Sequence, residues 1–575
     1  MRNSIQQITL ILVSTAFAVT TAVGASGTRS SDLRRASRLS HRSDNTKTHR
    51  QMAALRKQLL RQQSEINELL HKVQQLDSQV GTRQAATNFS TLPSRPTDNA
   101  SVASLTPVLP SKKVLGKEIE TPSPEVTAES SAPASREGGN AAGDSPLQFK
   151  IGSAYVTPVG FMDFTSEWRN HDVGSGIGTN FAAIPYGNNF QTNLSELRFS
   201  MQNSRVGFRV DAEVHGAHVI GYMESDFLGL SPGNAAVTSN SNSLRSRLYW
   251  VDVRKGDWEV LGGQTWSLIT PGRTGISPLP ADIFFTQNMD VNYQVGLVWG
   301  RIPELRFVYH PSHRMALAVA LDSPEQYAGG SAGGPLITFP AALASTYASE
   351  LNVGSNTFGV PNVAPDVIAK LALDPSSRFH FEIGGVERNF RLWNPTNRQI
   401  YSATGGGGFV NLNFELFKGF RFLTNNFWSD GGGRYIFGQA PDLIVTANGS
   451  PSLIHSGSTV TGIEYTRENS LLFGYYGGLY VGRNTALDTN GKLVGYGYSG
   501  SPSSQNRAIQ EATFGLNQTL WKSAQYGALN FIGQYSYLTR NPWYIAPGSP
   551  SNASLNSVFL DLRYTLPGSA PTLGK

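Results

Sequence analysis

From about Ala154 onward, apolar and polar residues take turns along the chain. In the stretch 205–214, Val206, Phe208, Val210, Ala212 and Val214 share one parity, and Arg205, Arg209, Asp211 and Glu213 the other. Near the end, Val558, Leu560, Leu562, Tyr564 and Leu566 alternate with Asp561, Arg563 and Thr565. A period of two places such sets on opposite faces of a β-strand. The pattern predicts sixteen strands, at 156–168, 194–214, 217–227, 244–254, 258–266, 292–310, 314–321, 366–374, 378–391, 408–417, 420–428, 459–467, 470–482, 508–521, 526–538 and 556–566.

The gaps between them alternate long and short. The long ones are 169–193, 228–243, 267–291, 322–365, 392–407, 429–458, 483–507 and 539–555; the short ones include His215-Gly216, Lys255-Gly-Asp257, Lys418-Gly419 and Glu468-Asn469. A soluble sandwich has no reason to gather every long loop at one end. A membrane-spanning barrel does, and it also needs an even strand count and an apolar outer face. Closure lets every backbone polar group pair within the protein, which lipid demands. Trp168, Trp266, Trp428 and Trp521, near strand ends, suit the aromatic girdles of such a wall. The expected fold is therefore all-β, a transmembrane antiparallel β-barrel over residues 147–566 followed by a tail at 567–575. Sixteen strands leave room for an aqueous lumen. Two places resist. The segment 194–214 changes phase near Asn203-Ser204, which predicts a β-bulge, and 292–310 carries Pro303, which cannot donate to a ladder.

A different period rules upstream. Met52, Leu59, Ile66, Val73 and Val80 fall at a, with Leu55, Gln62, Leu69 and Leu76 at d, so 51–80 reads as a short coiled coil. β-branched a with Leu d favours two strands, and Gln62 is a polar defect in the seam. Residues 81–146 are rich in Pro, Ser, Thr, Ala and Gly and read as a disordered linker. Residues 26–50 form a basic, solvated arm. Residues 1–25 fit a secretory signal, with Arg2, an apolar run from Ile8 to Val23, and Val23-Gly-Ala25 as cleavage site.

Charge then removes one class of partner. The formal net charge is +6, yet residues 147–575 hold 29 basic and 29 acidic side chains. The basic excess belongs to the N-terminal region, and nucleic acid is not an expected partner of the barrel. The chain has no cysteine, so disulfides and thiolate metal sites are excluded. No nucleophile elbow, Walker loop or H-E-x-x-H occurs, so neither an enzyme nor a cofactor is expected. His215/His218 and His310/His313 are three apart, which on a strand splits each pair between faces. Gly405 to Gly408 reads as flexible loop.

What remains is the electrostatics of the lumen. By alternation Arg198, Arg205 and Arg209 face inward with Glu196, Asp211 and Glu213. Arg245, Arg247 and Tyr249 share a face that is taken as inward, opposite Leu248 and Trp250. An Arg row inside low-dielectric walls attracts anions, and Arg pairs bidentately with carboxylate or phosphate. The plainer reading is that these arginines pair with neighbouring carboxylates and hold the wall. Loop 267–291 carries Ile276, Leu279, Ile283, Phe284 and Phe285, an odd apolar set for water. Folding inward would bury it, narrow the lumen and turn Asp282 or Asp290 toward the arginines; packing at a contact between copies is the rival.

Gly160-Phe-Met-Asp-Phe164, Ser204-Arg-Val-Gly-Phe208, Gly221-Tyr-Met-Glu-Ser-Asp-Phe227 and Gly262-Gly-Gln-Thr-Trp-Ser267 resemble stretches of the DcaP-like family of trimeric outer-membrane porins. The order of signal, coil, linker and barrel is similar too. The resemblance implies passive diffusion, a homotrimer in outer-membrane lipid with its N-terminal region in the periplasm, and a preference for small anions such as dicarboxylates. Arg205 lies inside a matching stretch, so the resemblance implies a pore-lining role for it. It also implies three coil strands where the heptad rule points to two. This chain departs in ending on Leu566 before a tail, and in the zero net charge of its barrel. A general or cation-favouring porin, or a plugged structural or adhesive envelope protein anchored by its coil, are the alternatives.

Overall fold

The alternation becomes a closed wall in the computed structural model, which describes residues 145–230, 240–279, 283–287, 293–331, 334–356 and 359–568. The predicted signal, arm and coiled coil, the linker up to residue 144, Asp282, Asp290 and the tail from 569 onward lie outside the described residues. Sixteen barrel strands follow one another: β1 (Ala154–Arg169), β2 (Glu196–Ser200 continuing as Arg205–Val214), β3 (Ala217–Asp226), β4 (Arg245–Lys255), β5 (Trp258–Trp266), β6 (Arg301–Ser312), β7 (Met315–Asp322), β8 (Asp366–Ser376), β9 (Phe379–Asn394), β10 (Gln399–Phe417), β11 (Phe420–Asp430), β12 (His455–Arg467), β13 (Ser470–Val481), β14 (Asn506–Ser523), β15 (Gly527–Pro542) and β16 (Ala553–Thr565). Each pairs antiparallel with the next. The sheet closes where β1 meets β16, from Phe161↔Thr565 to Arg169↔Ser557, its other edge lying along β2. Closure leaves no strand edge to seek a partner.

The two faces divide as the pattern predicts. Phe164, Phe199, Val251, Leu317, Val319, Leu472, Tyr476, Leu560 and Leu562 are exposed on the outer wall, as a lipid-facing band requires. Their neighbours Asp163, Thr165, Arg209, Asp211, Glu382, Glu511 and Asp561 are buried inside. Trp168, Trp428 and Trp521 are exposed on the outer wall, but Trp266 faces inward and meets Trp299 edge-on at 5.6 Å, so it is no part of a girdle.

Several segments differ from the reading, each for a local reason. The phase change in β2 is an interruption at 201–204. Both halves pair with β1, so the strand count holds. The segment 292–310 is not one strand. β6 starts at Arg301, Pro303 sits opposite Gln264, and Tyr293, Val295, Leu297 and Trp299 are buried in an inward loop. Gly405 to Gly408 are not flexible loop; they lie within β10. A Cβ at Gly406 would stand 2.3 Å from the Val386 carbonyl oxygen, so close strand approach selects glycine there. In β4, the register slips opposite Glu224 and Ser225, and Arg247 is the extra residue. Past this bulge the parity inverts: Leu248 and Trp250 point inward and Tyr249 outward, contrary to the shared inward face read for Arg247 and Tyr249.

The long loops fold over and into the lumen. Phe181, Ile184, Tyr347, Leu351, Tyr435, Ile436, Leu443, Ile444, Val445, Ile454 and Tyr496 join one buried apolar cluster inside the barrel mouth. Two small hairpins and a short helix, Ala344–Glu350, stiffen these loops.

Candidate pore lining

Strand β2 starts the site. Its inward parity carries Arg205, Arg209 and Asp211, all buried. A buried guanidinium without a counter-charge is strongly unfavourable, and each of these has one. Arg209 is bidentate to Asp211, at 2.7 and 2.8 Å. Arg205 lies 3.8 Å from Glu224, with its guanidinium 5.1 Å above the Phe161 ring. Arg247 bridges Glu224 at 2.6 Å and Asp226 at 2.7 Å, and Arg245 reaches Asp226 at 2.6 Å. At the loop end Glu196 holds Arg169 at 2.8 Å and Arg198 at 2.7 Å. Arg198 is the most open of the set, with 43% of its side chain exposed.

The site residues read from sequence on β2 and β4 thus meet along one wall, and the structure adds their partners. Glu224 and Asp226, two apart on β3, share inward parity with Ile220 and Tyr222. That parity was the signal for them. Arg563 of β16 was another: it binds Asp163 at 2.6 Å and stands 4.6 Å over the same Phe161 ring as Arg205.

The loop after β5 crosses to the opposite wall. Gly272 N donates to Glu382 at 3.1 Å, and Gly275 N to Asp374 at 2.8 Å. Arg273 is bidentate to Glu464, at 2.5 and 2.9 Å. Phe284 meets Tyr475 edge-on at 5.1 Å, and Val295 N donates to Glu511 at 2.8 Å. A Cβ at Gly477 would lie 1.9 Å from the Val295 carbonyl oxygen, so the loop backbone rests directly on β13. Ile276, Ile283, Phe284 and Phe285 are buried by this docking. A cavity of about 70 Å³, lined by Trp266, Thr270, Ile276, Arg306, Lys370 and Glu382, separates loop from wall. That is room for two or so waters.

Loop residue Asp442 belongs to the outer cluster. Burial pushes its carboxyl above the usual range, against the pull of Arg388 at 2.8 Å. It also accepts from Tyr327 N at 2.8 Å and Arg434 N at 2.7 Å, tying two loops together.

A closed sixteen-strand wall is now defined, and a solved structure shares that fold. The outer-membrane channel DcaP of Acinetobacter baumannii superposes with a TM-score of 0.52 at 18% identity, over 72% of this chain and 99% of that one. The barrel has the DcaP fold. The anion-selective porin of Comamonas acidovorans (12% identity, TM-score 0.39, 72% of this chain and 99% of that one) and Salmonella typhi OmpF in complex with daunomycin (8%, 0.40, 73% and 100%) are more distant. No protein-family model and no curated protein sequence matches the chain significantly. The likeness to DcaP spans the barrel, whereas the stretches quoted for the resemblance cluster in β1 to β5.

Proposed function

We propose that the protein is an outer-membrane diffusion porin for small hydrophilic solutes, with a passage running along the arginine-bearing side of the lumen. The observation that carries this is the asymmetry of the inner wall. The loop after β5 is bolted to β8, β9, β12, β13 and β14, and through Gln287 to Gln534 of β15 and Arg563 of β16, so any continuous passage lies on the side of β1 to β4. There Arg198 and Arg245 keep part of their side chains open, with Arg205 and Arg247 buried in the wall behind them, and a preference for small anions such as dicarboxylates follows from their guanidinium geometry. A homotrimer with its coil, 51–80, in the periplasm completes the proposal. The coil rests on the heptad pattern, and the trimer on the resemblance.

A specific observation favours a second reading, a porin with little charge preference. Every arginine in that row has a carboxylate within reach, so its field is largely cancelled at a distance. One measurement separates the two: conductance and reversal potential of the purified protein in a planar bilayer under a salt gradient. Steps in threes with anion selectivity, diminished in Arg205→Ala, support the anion-favouring trimer. Open steps without preference leave the second reading. Silent, folded protein overturns both in favour of a plugged anchor.

A further inference from the structure

The loop after β11, residues 431–454, holds one residue in a backbone conformation that does not suit it. Among the described residues four non-glycines are left-handed: His215, Arg398, Phe437 and Glu468. Three of them are exposed residues of tight hairpin turns. Phe437 is large, apolar and buried, with φ at 49°, and Gly438 follows at 63°. A bulky side chain is disfavoured there and persists only where its surroundings impose the conformation. The surroundings are in place on both sides. The Tyr435 hydroxyl lies 3.0 Å from the Asp366 carboxylate of β8 and 3.2 Å from that of Asp322 of β7. Tyr435 O accepts from Trp299 N at 3.0 Å, and Gly438 O accepts from the Tyr327 hydroxyl at 2.8 Å.

This frame aims the ring at the inward loop. Phe437 lies 4.4 Å from the Tyr293 ring and 5.2 Å from that of Trp299, and those two are 6.2 Å apart, so the three close a triangle. Between Tyr293 and Trp299 the loop rests on backbone. A Cβ at Gly296 would stand 2.3 Å from Thr459 O of β12 and 2.7 Å from Gly478 O of β13. Trp299 in turn meets Trp266 edge-on at 5.6 Å, and the Arg247 and Arg301 guanidiniums stand 5.7 and 5.8 Å from the Trp266 ring. Phe437, Trp299 and Trp266 therefore form an unbroken row from the loop after β11 to the arginine side of the lumen. Each contact in such a row is attractive, and in close packing a change at one end is felt at the other.

We propose that Phe437 is a wedge that sets the width of the passage. Its ring, held inward by the left-handed backbone, keeps Trp299 and Trp266 against the side where Arg247 stands. It is a positioning residue, acting through the two indoles. A small side chain in its place leaves room into which they retreat, and the passage widens. The proposal rests on the porin reading and deepens it: Phe437 limits the size of the solute, not its charge.

The test compares wild type, Phe437→Ala and Phe437→Leu in planar bilayers, and the entry of neutral sugars of increasing size into liposomes. Phe437→Ala should raise single-channel conductance about twofold and admit sugars that the wild type excludes, with the reversal potential unmoved. Phe437→Leu, which keeps apolar bulk, should stay near the wild type. A second readout does not need conductance. The chain has no cysteine, so Val298→Cys, buried beside Trp299, supplies a single thiol. A water-soluble maleimide should label it about tenfold faster when Phe437→Ala is also present. Unchanged conductance and size limit in folded Phe437→Ala overturn the wedge, and so does equal labelling in both backgrounds. A silent wild type that Phe437→Ala opens supports it as a full closure. Silence in both overturns the porin reading, and the wedge's part in passage with it; labelling then reports the packing contact alone.

Discussion

The two sides of the lumen satisfy their buried charges with different shares from the loop after β5. Along β1 to β4 the wall is self-sufficient: Arg209 with Asp211, Arg247 with Glu224 and Asp226. Along β8 to β14 the strands supply part, Lys370 and His380 to Glu382, His380 to Asp374 and Tyr475 to Glu464. The loop adds Gly272 N, Gly275 N and Arg273 to those carboxylates and Val295 N to Glu511. Buried carboxylates are costly unless their acceptor sites are filled, and the loop settles where its donors complete them. Which wall the loop lies against is thus decided by which carboxylates still accept.

Breaking the self-sufficient side should cost most. Arg247→Ala leaves buried Glu224 with only the longer Arg205 contact at 3.8 Å and buried Asp226 with Arg245 alone, and a loss of about 3 kcal/mol is expected. Thermal unfolding of the folded band measures it. A variant that also replaces Glu224 by Gln and Asp226 by Asn should regain a large part, and failure to do so would sink the pairing account. On the loop side, Arg273 keeps 22% of its side chain exposed, so Arg273→Ala should cost less, about 2 kcal/mol. Its clearer effect is on the channel: larger or noisier single-channel steps as the loop detaches. Unchanged steps would mean the loop does not narrow the passage.

Gly477→Ala probes the same contact sterically. The new Cβ would overlap the Val295 carbonyl oxygen, and overpacking of this kind costs about 1–3 kcal/mol. The expected signature is protease sensitivity within 267–300 while the barrel band persists. Loss of the barrel itself would show that the loop is needed for closure.

The barrel was readable because a strand's period is local. Strand count, closure and the inward parity of Arg205, Arg209 and Asp211 follow from residues two apart. Parity failed where one residue was inserted: the bulge at Arg247 turned Tyr249 out and Leu248 and Trp250 in. It also misled where burial had another cause. Tyr293 to Trp299 alternate like a strand, yet every residue of that stretch is buried in the inward loop, and Gly405 to Gly408 read as loop although two neighbouring strands press on them. The loop's docking surface was least legible. Arg273 and Glu464 are 191 residues apart, and nothing local in either names the other. The apolar set Ile276, Ile283, Phe284 and Phe285 signalled an inward fold, but not which wall would receive it.

The smallest expected effect on stability is the sharpest on function. Arg198 and Glu196 form an ion pair with the arginine 43% exposed, and exposed pairs contribute less than about 1 kcal/mol. Arg198→Ala should leave the unfolding midpoint almost unmoved. Yet Arg198 is the guanidinium of the row most accessible to a passing ion, because the buried ones are screened by their own carboxylates. Its removal should shift the reversal potential toward cations, more so at low salt, where the screening length is longest. Arg209→Met with Asp211→Leu removes a buried, closed pair and should shift it little. If the buried pair moved selectivity and Arg198 did not, the open side of the lumen would lie elsewhere, and the contrast between the two walls would describe folding alone.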